Sequence, residues 1–362
     1  MVPPVSVLSV ATAVPPHVLE QDEVARLAPG LFGAAGNRGL AKMFSNAGIE
    51  RRHAVRPLPW YLAPRDWNDR AQAYLDAAGE LFAAAADKAL AAASLHARDV
   101  DIVITVSSTG IATPSLEARA ARTLGFRPDV ARIPLFGLGC AGGVTGLSLA
   151  ARLARAEPGK IVLMVAVELC TLAFRFDRAD KADVVATALF ADGAAAAVLR
   201  AGAETPGVAR LGTAAEHMWP DTLDIMGWTV DPVGFGVVLS PALPRFLEAH
   251  LAAPVRHFIA GLDLNGARPR MICHLGSTKV LAAIETALAL GCGALADERA
   301  VLRQHGNMSS PSILFVLEHA LARGCQGPAV LAALGPGFTA SFLAADLGSR
   351  HGQGYDQGHC DG

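Results

Sequence analysis

The chain reads as an α/β protein built from two duplicated halves, and three observations lead there. Short β-branched runs alternate with Ala- and Leu-rich stretches of helical length. Hydrophobic residues make up 52% of the 362 and charged residues 18%, below the roughly 25% usual in soluble domains, so much of the chain must be buried. The same succession of helix, strand, polar loop and helix occurs on either side of a junction near residues 201–212. Sheets buried between helices satisfy all three observations.

Taken in order, residues 75–90 set Leu75, Phe82, Ala86 and Leu90 near one face of a helix. The run 102–106 (IVITV) predicts a buried strand from its length and β-branching. Residues 132–138 predict another strand, and 142–155 a helix that opens with small residues. Runs 161–167 (IVLMVAV) and 194–199 predict two more strands, the second following Asp192-Gly193. In the second half a helix over 246–259 precedes a strand at 271–273. Helices over 280–290 and 313–322 lead to a strand over 329–334, which Gly335-Pro336-Gly337 turns into a last strand over 339–344. The halves are assigned as 1–205 and 206–348, and the polar, Gly-rich tail 349–362 reads as frayed and disordered.

Composition excludes several functions. Net charge is −2 and the basic residues are scattered, so no nucleic acid partner is expected. The six cysteines (140, 170, 273, 292, 325 and 360) contain no CxxC and no paired spacing, which suits reduced thiols of a cytoplasmic protein rather than a disulfide frame or zinc site. His351, His359 and Cys360 lie in the tail without a rigid frame, so no metal is expected there either. Mean hydropathy is high at +0.35, which makes membrane signals worth testing. The N-terminus lacks a basic region and is broken by prolines, unlike a signal peptide. Of the two long uncharged stretches, 133–151 holds five glycines and 324–345 is split by Gly335-Pro336-Gly337. Membrane insertion is therefore not expected.

The segment 137–143 (GLGCAGG) carries the strongest chemical signal. It places Cys140 between a strand and a helix start, where free N–H groups and the helix dipole favour a thiolate. A buried Cys acting as a small hydrophobe is the alternative. Phosphate binding is disfavoured, because the segment has neither the spacing of a dinucleotide loop nor the Lys of a P-loop. A nucleophilic Cys needs a proton acceptor and oxyanion donors. His274 follows a strand and Asn307 precedes a helix, the ends at which sheet proteins gather reactive groups. Taken singly, His274 reads as a structural histidine and Asn307 as a cap or turn residue.

Five segments together resemble the type III polyketide synthases, the chalcone synthase family of thiolase-like condensing enzymes. They are GLGCAGG at Cys140, ALFADGAAA at 188–196, HLGSTKVL at His274, HGNMSSPSILFVL at 305–317 and GPGFT at 335–339. The likeness runs from about residue 5 to 347. It implies a five-layered αβαβα thiolase-like fold and a homodimer. It implies catalytic roles for Cys140, which takes the starter acyl group from an acyl-CoA, and for His274 and Asn307, which assist decarboxylation of malonyl-CoA. No cofactor is implied, since the coenzyme A thioesters are substrates. Phe190 matches a gate phenylalanine, and Val237 falls where a second gate aromatic is expected. Cys170, Ala173, Thr109 and Thr113 match cavity positions, and Lys42 and Lys279 match basic coenzyme A contacts. Asn46 stands where plant members carry Lys.

The small Val237, Cys170 and Ala173 suggest a wide tunnel, hence a fatty acyl-CoA starter and an alkylpyrone or alkylresorcinol product. Malonyl-CoA or an aromatic starter is the alternative, with Trp228 or Phe235 filling the space. Rival functions are a ketoacyl-ACP synthase of fatty-acid initiation, a cysteine thioesterase, and a non-catalytic partner with the same fold. HLGS in place of an HQAN-like segment weighs against the first.

Overall fold

The all-apolar runs become the interior of one sheet. In the computed structural model, which describes residues 3–32, 38–178, 180–202, 207–264, 266–291 and 293–348, nine strands pair side by side. Their spatial order is Arg270–Cys273, Gly327–Gly335, Thr339–Leu347, Ala209–Met218, Val5–Ala13, Asp192–Ala201, Ile161–Leu169, Ile102–Val106 and Ala131–Leu135. Ile102–Val106 runs parallel to both its neighbours, and Arg270–Cys273 runs parallel to Gly327–Gly335. The other neighbours are antiparallel.

Outward from the middle, the two sides repeat one pattern. The innermost strand is the first of its half, Val5–Ala13 or Ala209–Met218, and its neighbour is the last, Asp192–Ala201 or Thr339–Leu347. These innermost strands join through three residue pairs, Val5 with Leu211, Ser6 with Arg210 and Val7 with Ala209. Among the described residues, the second half has no counterpart of the Ala131–Leu135 edge strand. The expected junction at 205/206 and the tail 349–362 lie outside the described residues, as do Cys292 and Cys360.

Small side chains draw the layers together. Ala194, Ala195, Ala196 and Ala197 are fully buried in mid-strand, with the helix Trp67–Ala92 packed against the strand on one side. Helices Gly142–Ala156 and Ser312–Ala322 touch each other and strands of both halves, forming a central layer. A carbon added to Gly143 would lie 2.3 Å from the Ser310 carbonyl oxygen, so only glycine permits this approach. Beyond the second half, Phe258 of the helix Ala252–Ala260 stacks on Phe342 of the sheet at 5.4 Å. The two halves of the one continuous sheet thus flank the central helices and carry outer helices in turn, giving the order helix, half-sheet, helix, half-sheet, helix.

Most expected elements occur where expected, with one helix corrected. The continuous helix over 246–259 is two, Leu243–His250 and Ala252–Ala260. Pro254 explains the break: it has no N–H to donate to the carbonyl of His250, and its ring collides with that group. The hairpin Met226–Asp231 with Gly234–Leu239 stands apart from the main sheet and walls the cavity described below.

Candidate active site

The sheet delivers Cys140 through a short turn. After the strand Ala131–Leu135, the Ser108 hydroxyl accepts bonds from the Gly137 and Gly139 amides, both at 3.2 Å, and fixes the approach to the cysteine. Gly139 has φ +47, and a carbon added there would lie 2.7 Å from Pro336. On the other side, a carbon at Gly335 would lie 2.6 Å from both the Ala141 side chain and the Leu138 carbonyl. The hairpin turn of the second half thus rests directly on the turn that presents Cys140. The helix Gly142–Ala156 begins immediately after it.

His274 continues the strand Arg270–Cys273, its amide bonding the Ala332 carbonyl at 2.8 Å. Its ring is buried, and neither ring nitrogen has a protein hydrogen-bond partner among the described residues. Asn307 is pinned by backbone: its amide bonds the Leu189 carbonyl and its carbonyl accepts from Ala191, both at 2.9 Å. The Asn307 side chain donates to the Gly276 carbonyl at 3.1 Å and accepts from the Ser309 amide at 2.8 Å. That second bond holds Ser309 in left-handed backbone, φ +56, from which its hydroxyl donates to Cys140 Sγ at 3.4 Å. One amide-bearing side chain therefore links the His274 loop to the Cys140 contact.

These three residues line a single cavity of about 380 Å³ with Phe190, Val237, Cys170 and Lys279. The remaining expected positions do not line it. Thr109 is buried, but its hydroxyl donates to Glu168 at 2.8 Å and accepts from the Leu169 amide, so it is turned into the protein. Ala173 is buried at the end of a short turn, Cys170–Ala173, and Thr113 is exposed on a loop. Lys42 is exposed on the helix Arg38–Ser45. That helix meets the one bearing Lys279 where the Thr278 hydroxyl donates to the Asn46 carbonyl.

Sequence reading gives no role to Ser309 or Lys181, which also line the cavity, and names Trp228 only as a filler of the space under the alternative starter. Ser309 lies inside a segment already singled out, but its role depends on a backbone conformation no pattern reveals. Trp228 pairs across the hairpin with Val237, and its ring meets Phe190 edge-on at 6.0 Å. Alternation along a hairpin would have placed Trp228 beside Val237 had that hairpin been recognised.

Burial dominates the electrostatics. It pushes the Cys140 thiol up to about 11, with Glu168 adding to the effect and Ser309 opposing it. It pulls the His274 imidazole down to about 4. The thiolate expected from the helix start is thus not the resting form of Cys140, because desolvation outweighs the dipole. Behind the site, burial raises Glu168 to about 7 despite donors from the Ser108 amide and the Thr109 and Ser310 hydroxyls.

Comparison with known proteins decides the family. The model for the N-terminal domain of chalcone and stilbene synthases matches residues 63–203, and that for the C-terminal domain matches 210–343. The chain belongs to the chalcone and stilbene synthase family. It is 38% identical to a 1,3,6,8-tetrahydroxynaphthalene synthase of Streptomyces peucetius, over 93% of this chain and 92% of that one. A putative chalcone synthase of Bacillus subtilis is 33% identical, over 93% and 97%. Among solved structures, tetrahydroxynaphthalene synthase of Streptomyces coelicolor superposes with TM-score 0.88 at 28% identity, covering 95% of this chain and 99% of that one. Germicidin synthase of the same organism gives 0.89 at 25%, covering 95% and 100%. The fold is therefore thiolase-like. As a type III polyketide synthase the chain is an acyltransferase that performs decarboxylative Claisen condensation on coenzyme A thioesters, without a cofactor. No helix among the described residues is long and apolar enough to cross a membrane.

Proposed function

We propose that this synthase starts from malonyl-CoA and builds a compact aromatic polyketide, with Cys140, His274 and Asn307 as its catalytic residues. The Cys140 thiol passes its proton to the His274 ring as sulfur attacks the starter thioester, and the coenzyme A thiolate leaves with that proton. The N–H of the neutral His274 ring and the Asn307 amide then donate to the thioester carbonyl of a malonyl-CoA. Their hydrogen bonds stabilise the enolate left when CO2 departs. The enolate carbon attacks the Cys140-bound acyl group and expels the sulfur, giving a chain two carbons longer on coenzyme A. Lys279 at the cavity would meet the anionic coenzyme, with Lys42 on the adjacent surface.

One observation carries the choice of starter. Trp228 occupies the cavity beside Val237 and packs against Phe190, filling the room that a small residue at 237 would open. A compact product agrees with the naphthalene named for a relative, whose ten carbons equal five decarboxylated malonyl units. The fatty acyl-CoA starter with an alkylpyrone or alkylresorcinol product remains the second reading. Val185, Leu189, Leu239 and Leu243 in the lining favour it.

Purified protein given labelled malonyl-CoA, alone and with acyl-CoAs of increasing length, tests the proposal by product mass. Aromatic product from malonyl-CoA alone is expected. A strict need for an added starter, with rates rising along the chain series, would replace it with the second reading.

A homodimer in the cytoplasm completes the proposal. Ile111 and Phe136 are 57% and 60% exposed, and follow the parallel neighbours Ile102–Val106 and Ala131–Leu135. Both lie beyond the same end of the sheet, an apolar surface suited to a second copy.

A further inference from the structure

Arg52 is fully buried, and its position relates two parts of the site that the chemistry treats separately. The helix Lys181–Leu189 ends where Phe190 enters the cavity. A helix end leaves its last carbonyls without intrahelical partners, so their acceptors can be accounted for one by one. Ala186 receives the Phe190 amide at 2.8 Å, and Leu189 receives the Asn307 amide at 2.9 Å. Ala188 receives the Gln21 side chain at 2.9 Å. Thr187 and Phe190 both receive Arg52 Nη1, each at 2.7 Å. One nitrogen thus spans the last turn and the gate residue itself.

The same arginine supports the Asn307 side. Gly306 has φ +69, and a carbon added there would lie 2.7 Å from Arg52 Cγ and 3.0 Å from the Leu189 carbonyl. The turn before Asn307 therefore lies against the arginine stem. A cation is also the favourable charge at a helix C-terminus. Nη1 alone makes both bonds, Nε and Nη2 having no hydrogen-bond partner among the described residues. What Lys would lack is therefore reach: its stem is one bond shorter, and its ammonium cannot meet both carbonyls from the same backbone.

We infer that Arg52 is a positioning residue, setting the Phe190 gate and the Asn307 donor at a fixed separation through the end of helix Lys181–Leu189. This rests on the gate role proposed for Phe190 and the donor role proposed for Asn307.

Four variants test it: Arg52→Lys, Arg52→Met, Phe190→Leu and the Arg52→Lys/Phe190→Leu double. Kinetics of malonyl-CoA decarboxylation and the ratio of rates for short and long acyl starters are read, after thermal unfolding confirms folding. Displacing a reacting group by about 1 Å costs up to about 100-fold, so kcat of Arg52→Lys should fall between about 10-fold and 100-fold. KM should stay within about twofold, because the loss falls on the reacting geometry. The starter-ratio effects of Arg52→Lys and Phe190→Leu should be non-additive, as for residues acting through one another. Ser9→Ala, which removes a buried bond to the Ala89 carbonyl away from the cavity, should lower stability and leave both readouts unchanged. If Arg52→Met fails to fold, Arg52→Lys and the double variant decide alone. A folded Arg52→Lys with unchanged kcat, or additive starter ratios, overturns the inference. Phe190→Leu without any effect on the starter ratio sinks the gate reading and the inference with it.

Discussion

The rings of Phe190 and Trp228 meet edge-on, centroids 6.0 Å apart and planes at 65°, inside the cavity that Cys140 also lines. Trp228 in turn tilts against Phe235 at 5.8 Å, so three aromatics support one wall. Truncating Trp228 should leave a void where the ring stood, since its neighbours lie on paired strands that collapse little. We expect Trp228→Ala to accept acyl starters several carbons longer than the parent does. Val237→Phe should do the reverse. Competition between acyl-CoAs of graded length, read by product mass, checks both; an unchanged profile in Trp228→Ala would remove the tryptophan from the specificity wall.

Cys140 and His274 are each held neutral by burial, one with its thiol near 11 and the other with its ring near 4. On the mechanism proposed above, thiolate at neutral pH depends on passing the Cys140 proton to His274. His274→Gln should suppress iodoacetamide labelling of Cys140 at pH 7 by at least about tenfold, the scale of general-base loss being larger still. Labelling should return as the pH climbs towards 11. Peptide mapping against pH gives the answer, and equal rates in parent and variant at pH 7 would contradict it.

Asn307→Ala should slow CO2 release from malonyl-CoA by about 100-fold, as for loss of an oxyanion donor. Starter loading on Cys140, measured by intact mass, should change far less. The variant also frees Ser309 from its amide bond, so a Ser309→Ala control separates that effect.

Glu168 gives a pH signature. Its ordinary value is 4.5 and burial raises it to about 7, so the folded state holds this proton more tightly than the unfolded one. The stability it contributes is then present at low pH and is lost as pH rises from about 4.5 to about 7. Glu168→Gln removes that loss, although it also disturbs three hydrogen bonds. The melting temperature of the variant relative to the parent should therefore be higher at pH 8 than at pH 5. A difference that falls between those two pH values would reverse the sign assigned to this carboxyl.

Gly335→Ala should destabilise by about 1–3 kcal/mol, the usual cost of overpacking, because backbone at Leu138 as well as Ala141 stands 2.6 Å from the added carbon. It should also slow acylation by moving the Cys140 turn. Denaturant unfolding and intact mass report the two effects, and wild-type behaviour in both would remove the contact from the site.

What could be read in advance followed from local signals. The run 161–167 is uniformly apolar because its strand is buried on both faces, and it appears as Ile161–Leu169. Cys140, His274 and Asn307 sit at element junctions, but taken singly His274 and Asn307 read as structural residues, and it is the family resemblance that implies the grouping now seen in one cavity. Two central strands, Val5–Ala13 and Ala209–Met218, were not, because prolines and polar residues at their ends mask the pattern. Thr109 was assigned to the cavity by position alone. Its true direction depends on Glu168, a partner 59 residues away that no local rule connects. The thiol of Cys140 was misjudged for a related reason, since a helix start is local and desolvation is a property of the whole fold.

The strand Thr339–Leu347 lies between Gly327–Gly335 and Ala209–Met218, well inside the sheet, although it closes the described chain. A ribosome making this protein must therefore deliver everything up to residue 347 before the interior can be completed. Until then Ala209–Met218 presents an unpaired edge to its surroundings, the condition under which strands recruit other chains. Chaperone dependence and inclusion-body formation should consequently be governed by the last hairpin, and a chain stopped before residue 339 should aggregate rather than persist as a shortened enzyme.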